Sequence, residues 1–412
     1  MSRGTPAIVA AGALALILAG NAPVHAVGTT SQASARAGAD SVALFATRDG
    51  GFQAVSGVSG SQPQDTKSID IGGTSVATAI NPRGGKDGLL CTNGTRIKTV
   101  QDLRTTPKVG SADIDATAYA GEGAADRAFS CDGLAMHGTF ALAGGESQGL
   151  LQLVRKQGTW KIDQRVHSRG RNDAGQRHAQ GWIDIRDSLT KSTTFTGVAI
   201  APKAQRNGQF LAVTVDRTKG TLVVLSGVGT SKPRAVGVLG SAALKHASGG
   251  YGAGGVAFLP SSRDRALIAT HTGFAVLDLH HPDAPRLRVK TKVGDGSVAP
   301  AGLTVSSDGD HVAVAVGAKI YAYRHVLAAV KQHKPFRRQT SFPMGDLDSE
   351  RVSDVAYTDT DTLVVLHGDD LVATDWSLTL VKKVPRGRHV VRGSTTTTRP
   401  DVSGSLSVWP GA

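Results

Sequence analysis

From residue 41 onward the apolar positions do not recur at helical spacing. They fall into short runs closed by polar or glycine-bearing turns, and runs that are apolar throughout are followed by runs that alternate. A run apolar at every position is a strand covered on both faces, whereas an alternating run keeps one face in water. The order repeats. It is clearest in Gly197-VAIAP-Lys203 followed by Phe210-LAVTV, in Gly255-VAFLP-Ser261 followed by Ala266-LIAT, and in Ala301-GLTVS-Ser307 followed by His311-VAVAV. A fainter copy is Val352-SDVAYTD-Thr360 followed by Thr362-LVVLH. In each, a short strand leads to a turn such as Ser307-Asp308-Gly309-Asp310, and an aliphatic strand runs back.

Copies spaced by about 45–60 residues, each worth four strands, predict a β-propeller. The units lie at 42–73, 75–120, 128–168, 195–240, 255–293, 301–343 and 352–385. The expected fold is therefore all-β, a seven-bladed propeller over 41–412, with six or eight blades as the alternatives. The first unit has no obvious inner strand, while Ser403-GSLSVWP is a strand without a unit. Pairing the two closes the ring and hides both exposed sheet edges. Residues 168–194 are expected to be a long inter-blade insertion.

Residues 1–40 follow a different pattern. Arg3 precedes an uncharged apolar run from Ala7 to Gly20, then Asn21-Ala22-Pro23 breaks it and Val24-His25-Ala26 offers a small-x-small cleavage site. The run is short of the roughly 20 residues that span a bilayer. The reading is a Sec-type signal peptide over 1–26, cut after Ala26, with 27–40 as a flexible polar leader. The expected location is secreted or extracellular, with no transmembrane segment after signal removal.

Composition sharpens this picture. Glycine numbers 51 of 412 residues, about 12% against an ordinary 7%, as repeated tight turns and crowded inner strands require. With two cysteines in the chain, multi-cysteine metal sites are excluded. Cys91 and Cys131 fall in neighbouring units, and export would permit a disulfide between them, with two buried thiols as the alternative.

Two units are similar to a known repeat. Phe274-AVLDLHHPDAPRL and Leu222-VVLSGVGTSKPRA resemble the repeats of secreted bacterial propellers of the LVIVP and YVTN/lactonase-like group, with Pro282, Pro285 and Pro233 at the prolines of that pattern. Tyr321-AYRH and Asp375-Trp376 are faint WD40-like echoes without the paired Gly-His and Trp-Asp marks. The resemblance implies the fold and carries over no catalytic residue.

Lys and Arg total 46 against 33 Asp and Glu, a formal net charge of +13. Basic runs lie at Arg286-LRVKTK, Lys331-QHKPFRRQ and Lys382-KVPRGRHVVR, the second after a short helix expected over Tyr323–Lys331. An exported basic protein meets polyanions, so an unknown protein or an anionic cell-wall polymer or polysaccharide is the expected partner. Scarce aromatics, 5% of the chain, and the lack of a groove-reading motif argue against nucleic acid. A closed ring has no free edge that demands a second copy, so a monomer is expected.

No nucleophile elbow, HExxH helix, phosphate loop or EF-hand is present. Candidate ligand-facing residues come from the two long connections, Arg169, Arg171, His178 and Trp182 in one and His246 and Tyr251 in the other, joined by His271 and His367 at turns on the same face. Asp346, Asp348 and Glu350 have the alternate carboxylates that hard cations use, without the further ligands of a calcium loop. Asp354 and Arg351 are the titratable candidates near the axis. No cofactor is expected, and a divalent metal is the lesser alternative. The leading expectation is a secreted propeller that binds or scaffolds without chemistry of its own. The alternative is an extracellular lactonase- or lyase-like enzyme acting on a small carboxylate or lactone at the loop face.

Overall fold

A computed structural model describes residues 41–409 apart from stretches between elements, the longest being 116–130, 168–179, 186–194 and 245–254. Its strands form seven antiparallel sheets arranged as blades. Blade 1 holds β1 (Val42–Thr47), β2 (Gly51–Ser56) and β3 (Lys67–Asp70), and blade 2 holds β4 (Ser75–Ile80), β5 (Gly88–Thr92), β6 (Arg96–Gln101) and β7 (Lys108–Asp115). Blade 3 follows with β8 (Gly133–His137), β9 (Phe140–Gly144), β10 (Gly149–Lys156), β11 (Thr159–Ile162) and β12 (Trp182–Asp184). Blade 4 holds β13 (Gly197–Ile200), β14 (Phe210–Asp216), β15 (Thr221–Val228) and β16 (Arg234–Leu239). Blade 5 holds β17 (Val256–Phe258), β18 (Arg265–Thr270), β19 (Gly273–Asp278) and β20 (Arg286–Lys292). Blade 6 comprises β21 (Gly302–Val305), β22 (His311–Val316), β23 (Lys319–Arg324), the helix α1 (Val326–Gln332) and β24 (Arg337–Pro343). Blade 7 holds β25 (Glu350–Tyr357), β26 (Leu363–Asp369), β27 (Trp376–Lys382) and β28 (His389–Thr397), after which β29 (Leu406–Trp409) returns to blade 1.

That return closes the ring. β29 pairs antiparallel with β1, from Val42 opposite Trp409 to Phe45 opposite Leu406, and supplies the inner strand that blade 1 lacks. Each inner strand touches the next all the way round, with β29 between β25 and β4. Seven blades and closure by the C-terminal strand are thus what the repeat predicts.

The hydrophobic core is an annulus, with one apolar cluster in each gap between consecutive blades. This explains the unbroken apolar runs. Along β14 and β15, Leu211, Val213, Leu222 and Val224 pack toward blade 5, while Ala212, Val223 and Leu225 pack toward blade 3. Both faces of a middle strand are therefore covered, and a polar group placed there without a partner costs stability. Close approach also requires glycine in places. A Cβ at Gly237 would stand 2.1 Å from the carbonyl oxygen of Pro282 in the neighbouring blade.

Three boundaries differ from expectation. Residues 168–194 are not simply an inter-blade insertion, because β12 comes back to β10 and continues the outer edge begun by β11. The chain is held at the return by Gly181 (φ 87), where a Cβ would meet the Ile162 side chain at 2.3 Å. The outer strand of blade 7 is β28, beyond the expected limit at 385. The helix begins at Val326 because Lys319–Arg324 is paired as β23 and His325 turns the chain at φ 58.

Five of the outer strands share one further feature. β7, β16, β20, β24 and β28 each pair with their inner neighbour through a register shift. Such bulges bend an exposed edge away from further pairing.

Candidate functional site

Turns between second and third strands share a propeller face with the connections from one blade to the next, and that face surrounds one mouth of the axis. Of the ligand-facing candidates expected there, Trp182, His271 and His367 are among the described residues. Arg169, Arg171, His178, His246, Tyr251, Asp346 and Asp348 lie outside the described residues, as do the side chains of Glu350 and Arg351.

Trp182 does not face a ligand. It sits on β12 at 4% exposure, within the apolar cluster that also holds Cys91, Cys131 and Trp160 between blades 2 and 3. The physical reason is the pairing of Leu151 with Trp182, which draws this indole onto the blade flank. His271 occupies the turn between β18 and β19 of blade 5, and its Nδ1 is buried with no hydrogen-bond partner among the described residues. His367 lies two blades further on, within β26. Its Nε2 is 2.8 Å from Thr379 Oγ1 on β27, so the ring is directed outward along its own blade. Burial pushes the pKa of His367 down to about 4, which leaves a neutral imidazole at neutral pH. The structure does not bring these two histidines together. Among the described residues, no three His, Cys, Asp or Glu side chains converge as a metal site.

Near the axis β13, β17 and β21 place small and apolar residues, Gly197 and Val198, Val256 and Ala257, and Gly302 and Leu303, while β8 ends in His137, whose Nε2 lies 3.1 Å from Pro202 O. Asp354 on β25 is the buried carboxylate of this region, at 7% exposure. Its Oδ1 accepts from Val355 N at 2.8 Å, and its Oδ2 accepts from Leu406 N at 3.2 Å across the gap to β29. Gly302 leaves the space it needs, since a Cβ there would stand 2.8 Å from Oδ1. The other side of β29 is held by Ser407, whose hydroxyl donates to Thr78 O at 2.8 Å and lies 2.9 Å from Thr78 Oγ1. Asp354, Ser407 and Thr78 thus form a polar clasp around the closing strand. Asp354 is legible in the sequence as a charge on an inner strand, but its partner lies 52 positions away.

Two other polar groups tie blades together and were missed by sequence reasoning. Gln152 interrupts the apolar run of β10. Its side chain donates to Asp163 Oδ2 and Thr230 O, both at 2.9 Å, and accepts from Gly229 N at 2.9 Å. A lone amide in a buried strand is the signal that marks it. Asp87 accepts from the Trp160 indole at 3.1 Å and from Asn81 at 3.3 Å, joining blades 2 and 3. The disulfide Cys91–Cys131 joins the same two blades, with Cα atoms 5.3 Å apart. These groups hold the ring.

No protein-family model matches this chain, and no curated protein matches it. Solved structures do. Sqt1 of Saccharomyces cerevisiae is similar at 11% identity with a TM-score of 0.54, covering 87% of this chain and 84% of that one. Apo AztD from Citrobacter koseri is similar at 11% identity with a TM-score of 0.53, covering 90% and 98%. The β-propeller domain of Cps50 (Swd1) from Myceliophteria thermophila is similar at 11% identity with a TM-score of 0.50, covering 82% and 97%. Identities this low speak to architecture alone. The LVIVP/YVTN group is not distinguished by them from other propellers. Strand order, ring closure and these likenesses agree on one conclusion: the chain is a seven-bladed β-propeller.

Proposed function

We propose that this propeller is exported and acts by binding, as a scaffold or recognition module of the cell envelope or extracellular space, with no chemistry of its own. The observation that carries the reading is the use made of Asp354. The buried carboxylate of the inner strands is occupied by two backbone N–H groups and holds the closing strand, so it serves the ring. The Cys91–Cys131 bridge fits an oxidising compartment, where such bonds persist. Among the described residues no helix is long and apolar enough to cross a membrane. In this reading the protein is a monomeric ring whose partner is a protein or an anionic envelope polymer. The similarity of two blades to secreted bacterial propellers supports the same location.

The test has two arms. In living cells, photocrosslinking of the full chain followed by fractionation should place it in envelope or medium, attached to a reproducible partner. Purified protein should show no hydrolysis or elimination above background with a panel of lactones and carboxylate-bearing substrates, with and without added divalent metal. Turnover abolished by substitution of His271 or His367 would replace this reading with the lactonase- or lyase-like one.

A further inference from the structure

The outer strand of blade 5 reads Arg-Leu-Arg-Val-Lys-Thr-Lys. Arg286, Arg288, Lys290 and Lys292 all stand on solvent, and the residues between them are half-buried. The alternation continues across the bulge, where Val289 adopts φ 42 and the register slips between Phe274 and Val276. Because β20 is the edge of its sheet, no further strand of the blade lies outside it. Arg288 Nε is 3.5 Å from Asp278 Oδ2. Among the described residues Arg286, Lys290 and Lys292 make no ion pair. The nearby carboxylates are Asp283 in the turn before the strand, Asp295 in the turn after it, which has an interaction of its own, and the already paired Asp278. The adjoining rim of blade 6 adds exposed cations at Lys331, Lys334, Arg337 and Arg338.

Cations on an edge strand also discourage sheet-to-sheet pairing, but that role does not account for four of them. β7, β16 and β28 carry the same bulge and manage with one Lys or Arg each, and β7 adds two aspartates. β24 of blade 6 carries two, so the excess is greatest on β20 and continues onto the adjoining rim. Its partner is defined by charge and by what the surface lacks. The exposed large apolar side chains among the described residues are Val298 and Leu327. Among the described residues there is no exposed aromatic platform on which bases would stack and no exposed apolar face to enter a bilayer. A hydrated chain bearing repeated anionic groups needs neither.

We propose that the outer edge of blade 5, with the adjoining rim of blade 6, docks a linear anionic polysaccharide. The proposal rests on the binding reading above and deepens it by assigning the partner class and the surface. Retention of the full mature chain on immobilised polygalacturonate (a carboxylate on each sugar) and on dextran sulfate tests it, with neutral dextran as the control matrix. The wild-type chain should bind one or both charged matrices at low salt and elute by about 0.2 M salt, as screened contacts do. The charge reversal R286E/K290E should weaken binding about tenfold or more and reduce its salt dependence. The variant K156E/K161E makes the same change of net charge on exposed residues of blade 3 and should stay within about twofold of wild type. Equal losses in both variants would show attraction to net charge alone and overturn the assigned surface. Stronger binding of single-stranded RNA than of either polymer would overturn the partner class. Absence of wild-type retention on both matrices would overturn the whole proposal while leaving the crosslinking experiment free to support the binding reading through another partner.

Discussion

Replacing Asp354 with alanine removes the acceptor of two backbone N–H groups at once, Val355 N at 2.8 Å and Leu406 N at 3.2 Å. The site is 7% exposed, so water does not readily take the lost role. A hydrogen bond to a charged group contributes about 1.5–3 kcal/mol, and two of them set an expected loss of about 3–6 kcal/mol for D354A. Asp354→Asn keeps the shape but offers one acceptor oxygen, and its NH2 meets the second donor, so about 2 kcal/mol is expected there. The loss should be local before it is global. Leu406 opens β29, so amide hydrogen exchange along Leu406–Trp409 should speed up by about thirtyfold in D354N and by more in D354A, while the protons of β14 and β15 in blade 4 stay protected. Limited proteolysis should nick the C-terminal region first. Unchanged exchange in β29, or uniform acceleration in every blade, would refute the claim that this carboxylate latches the ring.

Three further outcomes follow from polar and covalent ties between or within blades. Substituting Cys91 and Cys131 together by alanine removes a cross-link spanning 40 residues, which costs about 3–4 kcal/mol by loop entropy; denaturant unfolding checks the cost, and intact mass checks that reduction of the native chain adds two hydrogens. His367 has its pKa pushed down to about 4 by burial. Its folded state binds the proton less readily than the unfolded chain, so its contribution is full above the ordinary 6.5 and falls between there and about 4, by at most about 3 kcal/mol. His367→Gln should flatten stability against pH across that window, and an unchanged slope would contradict the burial argument. For Asp163, burial raises the pKa, but hydrogen bonds from Arg165 and Gln152 outweigh it and hold the carboxyl below its usual range. Its stabilisation is present above the unfolded carboxylate pKa near 4 and is lost as pH falls through the depressed folded value. D163N should be less stable than wild type at pH 7 and should converge with it in acid.

How much of this was legible in the sequence depends on what each residue type must satisfy. The middle strands were legible because burial on both faces leaves an unbroken apolar signature, as in Leu222–Leu225 and Val312–Val314. Ring closure was legible because blade 1 lacked a strand and residues 403–410 supplied one. The outer edge of blade 3 was not, since two short strands, β11 and β12, share one partner with a long excursion between them. A local pattern cannot show that Gly149–Leu151 will receive Trp182 from so far along the chain. The same limit hid the clasp. Thr78 and Ser407 look like ordinary polar residues, and their pairing over 329 positions exists because the ring closes. Loop length separates connections from strands but does not say whether an indole such as Trp182 folds back into the core.

Isolating the native protein from its own cells, with intact mass and elution volume measured together, reads export and partner binding in one experiment. An exported ring gives a chain beginning at Val27, lighter than the reduced form by two hydrogens, found in envelope or medium and eluting with a partner that high salt or denaturant releases. A chain retaining Met1 in the cytosol, with free thiols at Cys91 and Cys131 and no partner, would contradict it.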